Sequence, residues 1–203
     1  MNYLAHILLS GDDPDMQVGG LLGDFVKGPL RGHYPAGVEC GIQLHRSLDN
    51  YADNLPEISA LLVHFPAPWR RYAGIVIDVC FDHLLARNWR HYHDQALDDY
   101  CADFYRHLQT CQPWLPDGAY AFSVRAPQIG WLQRYAEPGV VPGVLRQVGG
   151  RFRRPVPLEQ AWAEVQPNQA ALVAAFQPAM EKLLVFSARY QQRNRPQRRA
   201  IGS

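Results

Sequence analysis

Ile75-Val76-Ile77-Asp78-Val79-Cys80-Phe81-Asp82-His83-Leu84-Leu85 is an apolar run interrupted by two aspartates and a histidine. A segment of this kind belongs in a core, near the middle of a helix predicted from Trp69 to about His91. An ionised carboxylate loses on the order of several kcal/mol on burial unless a metal, a cation or hydrogen-bond donors compensate it. The segment therefore lines either a metal site or a polar crevice.

The flanking sequence also reads as helix. Asn2 to about Ser10 and Met16 to Lys27 are predicted helices, the second stopped by Gly28-Pro29. Pro35 opens a third that runs to about Asp53, and Pro56 a fourth that runs to Phe65. Beyond the central segment, Leu97, Tyr100, Cys101, Phe104 and Leu108 recur at helical spacing. Pro113 to Gly118 reads as a loop, Ala126 to Tyr135 and Pro142 to Val148 as helices, and Gly149 to Pro157 as irregular. Pro157 to Val165 and Asn168 to about Gln191 complete the set. No alternating β-branched run, hairpin dipeptide or internal repeat is present. The expectation is an all-α, single-domain helical bundle over residues 1–190, followed by a basic, flexible tail over 191–203.

The 203 residues are 47% hydrophobic and 19% charged, with a net charge of +1, which suits an ordinary globular core. The charge bias is local. No acid follows Glu181, whereas Lys182, Arg189, Arg193, Arg195, Arg198 and Arg199 do. That tail reads either as a solvated terminus or as a landing strip for an acidic partner. Cys40, Cys80, Cys101 and Cys111 lack metal or redox spacing, so they read as reduced thiols of a cytoplasmic protein. No apolar run reaches membrane-spanning length, and no helix-turn-helix or aromatic-basic strand pattern points to nucleic acid.

Helical spacing pairs the polar candidates. His45 and Asp49 share one face, and Asp78 and Asp82 share another, with His83 one step round. Asp24 follows the small-residue run Gly19-Gly20-Leu21-Leu22-Gly23, and His6 lies within Tyr3-Leu4-Ala5-His6-Ile7-Leu8-Leu9. Each also has a bland reading: His6 as a satisfied core histidine, Asp24 as the partner of a helix end or an arginine, Asp49 and Asp53 as solvated-face residues. Together they form a set that a helical bundle can aim at one point. Mixed histidine and carboxylate ligation without thiolate favours manganese, magnesium or iron(II). Such a metal polarises a phosphoryl oxygen and lowers the pKa of water, and a remaining aspartate can accept the proton. Arg46 offers a planar fork to a phosphate, and Lys27, Arg31, Arg151, Arg153 and Arg154 suggest a basic rim.

Several blocks carry a resemblance to a known family. They are Met1-Asn2-Tyr3-Leu4-Ala5-His6, Gly20-Leu21-Leu22-Gly23-Asp24-Phe25-Val26-Lys27-Gly28, Gly41-Ile42-Gln43-Leu44-His45-Arg46-Ser47-Leu48-Asp49, Asp53-Asn54-Leu55-Pro56-Glu57 and Asp78-Val79-Cys80-Phe81-Asp82-His83-Leu84-Leu85-Ala86. These resemble the acyl carrier protein phosphodiesterases, a divergent branch of the HD phosphohydrolase superfamily. A weaker likeness continues through Trp131-Leu132-Gln133-Arg134-Tyr135. The resemblance implies an all-helical, manganese-dependent enzyme, with magnesium or iron(II) as alternatives. It implies holo-acyl carrier protein as substrate, apo-protein and 4'-phosphopantetheine as products, and no nucleic acid or membrane partner. The His-Asp doublet of the superfamily would fall at Gly23-Asp24, where glycine replaces histidine. The expected metal ligands are His6, Asp24, His45, Asp49 and Asp78, and the expected catalytic residues are Asp24, Arg46, Asp82 and His83. The rivals are a hydrolase of nucleotides or other small phosphodiesters, and a non-catalytic carrier-protein-binding module whose buried acids pair with arginines.

Overall fold

A computed structural model describes residues 3–194. Among these residues there are ten α-helices, six short 3₁₀ turns and no strand, so the all-α expectation holds. The helices are α1 (Tyr3–Leu9), α2 (Pro14–Leu22), α3 (Ala36–Asp53), α4 (Pro56–Leu61) and α5 (Ala73–Arg87). They continue as α6 (Leu97–Thr110), α7 (Asp117–Gln128), α8 (Val140–Gly150), α9 (Leu158–Val165) and α10 (Gln169–Asn194).

The N-terminal half builds the site. Asp13 caps α2 by accepting from the Asp15 and Met16 amides, and Pro14 stands in the first turn, where its missing N–H costs nothing. Helix α2 crosses α3 with almost no space between the backbones. A Cβ added at Gly19 would lie 2.2 Å from the Val38 carbonyl oxygen, and one at Gly41 would lie 2.3 Å from that of Met16. Only glycines permit this approach. One turn beyond Gly41, the same face of α3 presents His45, and one more turn presents Asp49. Helix α1 is buried along its whole length. It lies against both α2 and α5, so His6 faces α3 from the opposite wall.

The central segment is shorter than predicted. Trp69–Tyr72 and Trp89–His91 are 3₁₀ turns that flank α5. Helix α2 stops at Leu22 rather than Lys27, because Asp24, Phe25 and Val26 turn back onto the Leu21 and Leu22 carbonyls. The largest difference is α7. The predicted loop to Gly118 and helix from Ala126 to Tyr135 are replaced by a helix over Asp117–Gln128 and a 3₁₀ turn over Gln133–Ala136. The buried face of α7 is Ala119, Ser123 and Ala126. These residues are too small and too polar to give a strong hydrophobic period.

Helix α10 carries the chain through Asn194, so the boundary expected at 191 falls inside a helix. The rest of the predicted tail lies outside the described residues. The helical stretch Leu158–Asn194 contains a window of mean hydropathy 1.3, long and apolar enough by composition to cross a membrane. Its buried residues Leu172, Phe176, Ala179, Met180, Leu183 and Ser187 recur every three to four positions. That is the stripe of a helix laid against a core.

Candidate functional site

His6 of α1 and His45 of α3 stack face to face, with ring centroids 3.6 Å apart and an interplanar angle of 19°. Asp49 reaches both: His6 Nε2 is 3.0 Å from Oδ1, and His45 Nε2 is 3.2 Å from Oδ2. Asp24 stands beyond, with Oδ1 3.9 Å from His45 Nε2. The two rings are 0% and 3% exposed, whereas the Asp49 and Asp24 side chains are 42% and 43% exposed. The imidazoles thus form a floor and the carboxylates a mouth.

The two histidines are held differently. His45 Nδ1 is 2.7 Å from the Gly20 carbonyl oxygen. A carbonyl only accepts, so Nδ1 carries the proton and the ring is oriented with Nε2 toward the carboxylates. His6 has no such anchor. Both of its ring nitrogens are buried without a hydrogen-bond partner, although Nε2 lies at hydrogen-bonding distance from Asp49. Burial, reinforced by His45, pulls the His6 pKa down to about 3, so the ring is neutral at physiological pH. Burial works to raise Asp49, but the His45 and His6 nitrogens outweigh it and hold the carboxyl well below its usual range. Burial raises the Asp24 carboxyl despite His45.

His6, His45 and Asp49 can each offer one ligand atom, and these atoms lie within 4.8 Å of one another. A neutral imidazole with unsatisfied nitrogens, a second imidazole of fixed tautomer and an ionised carboxylate fit a divalent cation. Asp24 is placed to join them. Asp78 is on the other wall. With Asp24, Tyr3, Tyr135 and Arg151 it lines a cleft of about 360 Å³, and burial raises its pKa.

Gly23 stands where the resemblance leads to the expectation of a histidine. A Cβ at this position would lie 2.1 Å from His45 Cγ and 2.3 Å from Cδ2. A histidine at 23 therefore has no room, and the His45 ring occupies the space that its side chain would need.

Three expected catalytic residues have other engagements. Asp82 is 0% exposed, and its two oxygens accept the Leu4 and Ala5 amides, both at 2.9 Å. It closes the N-terminal turn of α1, and through that turn it holds His6. Burial pushes its pKa up to about 7, against the pull of these two amides. His83 Nδ1 donates to the Tyr135 carbonyl at 2.6 Å, and His83 does not line the cleft. Arg46 donates to the Val26 carbonyl at 2.8 Å and so ties down the turn that carries Asp24. These geometries suit support of the site by Asp82, His83 and Arg46.

Tyr3, Trp131, Tyr135 and Arg151 are the walls that spacing could not identify. The only sequence signal was the weak Trp131-to-Tyr135 likeness and the place of Arg151 in a basic cluster.

The family described as acyl carrier protein phosphodiesterase matches residues 1–183. A relative from Yersinia pestis named acyl carrier protein phosphodiesterase is 34% identical, with 92% of this chain and 93% of the relative covered. Relatives of the same name from Yersinia enterocolitica and Serratia proteamaculans are 35% and 33% identical, over 89% and 87% of this chain and 95% and 92% of their own. No solved structure matches the chain.

Proposed function

The chain is a member of the acyl carrier protein phosphodiesterase family, and we propose that it hydrolyses the phosphodiester joining 4'-phosphopantetheine to a serine of holo-acyl carrier protein. The observation that carries this reading is the buried His6 ring, neutral and without hydrogen-bond partners, packed against His45 and Asp49. Leaving such a group unsatisfied costs about 1–3 kcal/mol, and a cation shared with His45 and Asp49 offsets that cost. His6, His45 and Asp49 would hold the ion, with Asp24 adjoining. Manganese suits the donor set, with magnesium or iron(II) as alternatives. A bound divalent ion supplies charge to a phosphoryl oxygen and makes a water more acidic.

The residues of the chain divide the remaining tasks. Asp24, at the mouth and carrying a raised pKa, accepts the proton of the attacking water. The water oxygen bonds to phosphorus, the bond from phosphorus to the serine oxygen breaks, and that oxygen receives the proton held by Asp24 and leaves as the serine hydroxyl. His45 keeps its Nε2 forward through the Gly20 contact, and Asp82 keeps α1 and His6 in place. We read the site as a variant of the HD arrangement in which α3 supplies the histidine, a reading supported by the space that Gly23 leaves. The exposed arginines, Arg153 and Arg154 among them, would steer an acidic carrier protein and make its encounter sensitive to salt. The same reading places the enzyme in the cytoplasm with its substrate.

The test is intact-mass analysis of holo-carrier protein incubated with the enzyme and manganese. The expected result is loss of the phosphopantetheine mass, abolished by a chelator and restored by metal. No loss with manganese, magnesium or iron(II) would refute the proposal.

A further inference from the structure

The acid cleft does not end at Arg151. It opens into a second cavity of about 730 Å³ between α7 and α8, and the two share Tyr3, Phe25, Trp131 and Arg151 as lining residues. The cavities differ in chemistry. The first holds the Asp24 and Asp78 carboxyls. The second is walled mainly by Phe25, Ala121, Phe122, Ile129 and Trp131, with Arg125 and Gln147 also in its lining, and has no acid among the described residues. Both volumes lie within the roughly 300–1,000 Å³ typical of small-molecule sites. Ile129 is 48% exposed in the groove, an apolar surface open to solvent.

Arg151 stands at the seam. Among the described residues it is the one cationic side chain lining the acid cleft. Its Nη1 donates to the Tyr3 hydroxyl at 3.2 Å, and its guanidinium lies 5.8 Å from the Trp131 ring centroid. These two contacts aim a fork of donors between the carboxylates and the apolar groove. Arg46, by contrast, is committed to the Val26 carbonyl.

An apolar groove, a cation at its inner end and an acidic, cation-accepting pocket beyond match a ligand with a phosphodiester at one end of a long uncharged chain. On the premise that the substrate is the phosphopantetheinylated carrier, we propose that this groove receives the pantetheine arm while Arg151 binds a non-bridging oxygen of the phosphodiester. The groove then selects for the arm, and the carrier serine faces the mouth formed by Asp24 and Asp49.

Ala121 is exposed on the groove wall, so Ala121→Trp fills the groove without touching the core. Ile129→Glu is a second variant that puts a charge in the same space. Pantetheine, which is uncharged, is titrated calorimetrically into each protein without added metal. Wild type should bind it, and each variant should bind it at least about tenfold more weakly, the loss of roughly one buried apolar contact. With metal present, wild type should cleave a carrier bearing the full arm in preference to one whose arm is cut back to a methyl ester of the phosphate, and both variants should lose that preference. Arg151→Gln should lower kcat/KM by about ten- to a hundredfold, the loss of one charge-assisted hydrogen bond, and Arg151→Lys should recover part of it. Absence of pantetheine binding by wild type, or unchanged binding and arm preference in both groove variants, overturns the groove assignment. Full activity of Arg151→Gln overturns the role of Arg151. If wild type binds pantetheine but cleaves no carrier, the groove stands and the hydrolytic reading falls.

Discussion

Replacing Gly23 by alanine sets two effects of opposite sign against each other. The backbone at Gly23 is right-handed helical, at φ −53° and ψ −32°, so alanine fits it without strain. Judged on propensity alone, Gly23→Ala stabilises by up to about 1 kcal/mol. The side chain reverses the sign. The new methyl would stand 2.1 Å from His45 Cγ, so the ring must retreat by more than 1 Å to reach the ordinary contact distance of 3.4 Å. It cannot retreat freely, because it is stacked on His6 at 3.6 Å and donates to Gly20 at 2.7 Å. Overpacking costs roughly 1–3 kcal/mol and the lost buried hydrogen bond about 1 kcal/mol, for a net destabilisation of about 1–3 kcal/mol. Displacing a reacting group by 1 Å costs on the order of 100-fold in rate. Urea unfolding in chelator gives the stability, and cleavage of holo-carrier protein followed by intact mass gives the activity. Gly23→Ala combined with His45→Ala should regain most of the stability and none of the activity, because the methyl then enters the space vacated by the ring. A Gly23→Ala protein more stable than wild type and fully active would show that His45 does not need this space.

Two further perturbations test the supports of the site. Asp82→Ala leaves the buried Leu4 and Ala5 amides without an acceptor and should cost about 2–4 kcal/mol in urea unfolding; Asp82→Asn, which keeps one acceptor, should cost less, and any activity lost should follow the folded fraction. A fully stable Asp82→Ala would rule out the clamp on α1. His6 makes the metal-free protein sensitive to acid. Its folded pKa of about 3 lies below the unfolded value of 6.5, so between these values the unfolded chain takes up a proton that the folded chain refuses. Stability is therefore complete above about pH 6.5 and falls as the pH drops, by about 2 kcal/mol between pH 6.5 and 4.5. Asp49, whose pKa is depressed, adds to the slope in the same direction. His6→Asn should flatten the stability profile by about that amount, and identical profiles for the two proteins would contradict a buried neutral ring.

What could be read from the sequence follows from how local each signal is. His45 and Asp49 lie one turn apart on α3, and the structure sets both against His6; helical periodicity is enough to put them on one face. The same rule fails on α5. Asp78 and Asp82 are also one turn apart, yet Asp78 lines the cleft while Asp82 is sealed beneath the first turn of α1. What separates them is the course of a helix more than 70 residues earlier in the chain, whose end brings two unpaired amides over one carboxylate and not the other. Backbone donors leave no mark in a side-chain pattern, so spacing alone does not show the two amides that Asp82 receives. The Arg46 contact is hidden from the sequence for the same reason, since its partner is a main-chain carbonyl. The need for glycine at position 23 could not be read from the sequence, because the reason is the ring of a residue 22 positions later. The groove was the least legible feature. Its floor is α7, whose buried Ala119, Ser123 and Ala126 give no hydrophobic period, and its seam residue Arg151 stands just past the end of α8 among other arginines. Chemistry carried by one helix face was legible in order, whereas chemistry assembled from backbone groups and distant loops required the fold itself.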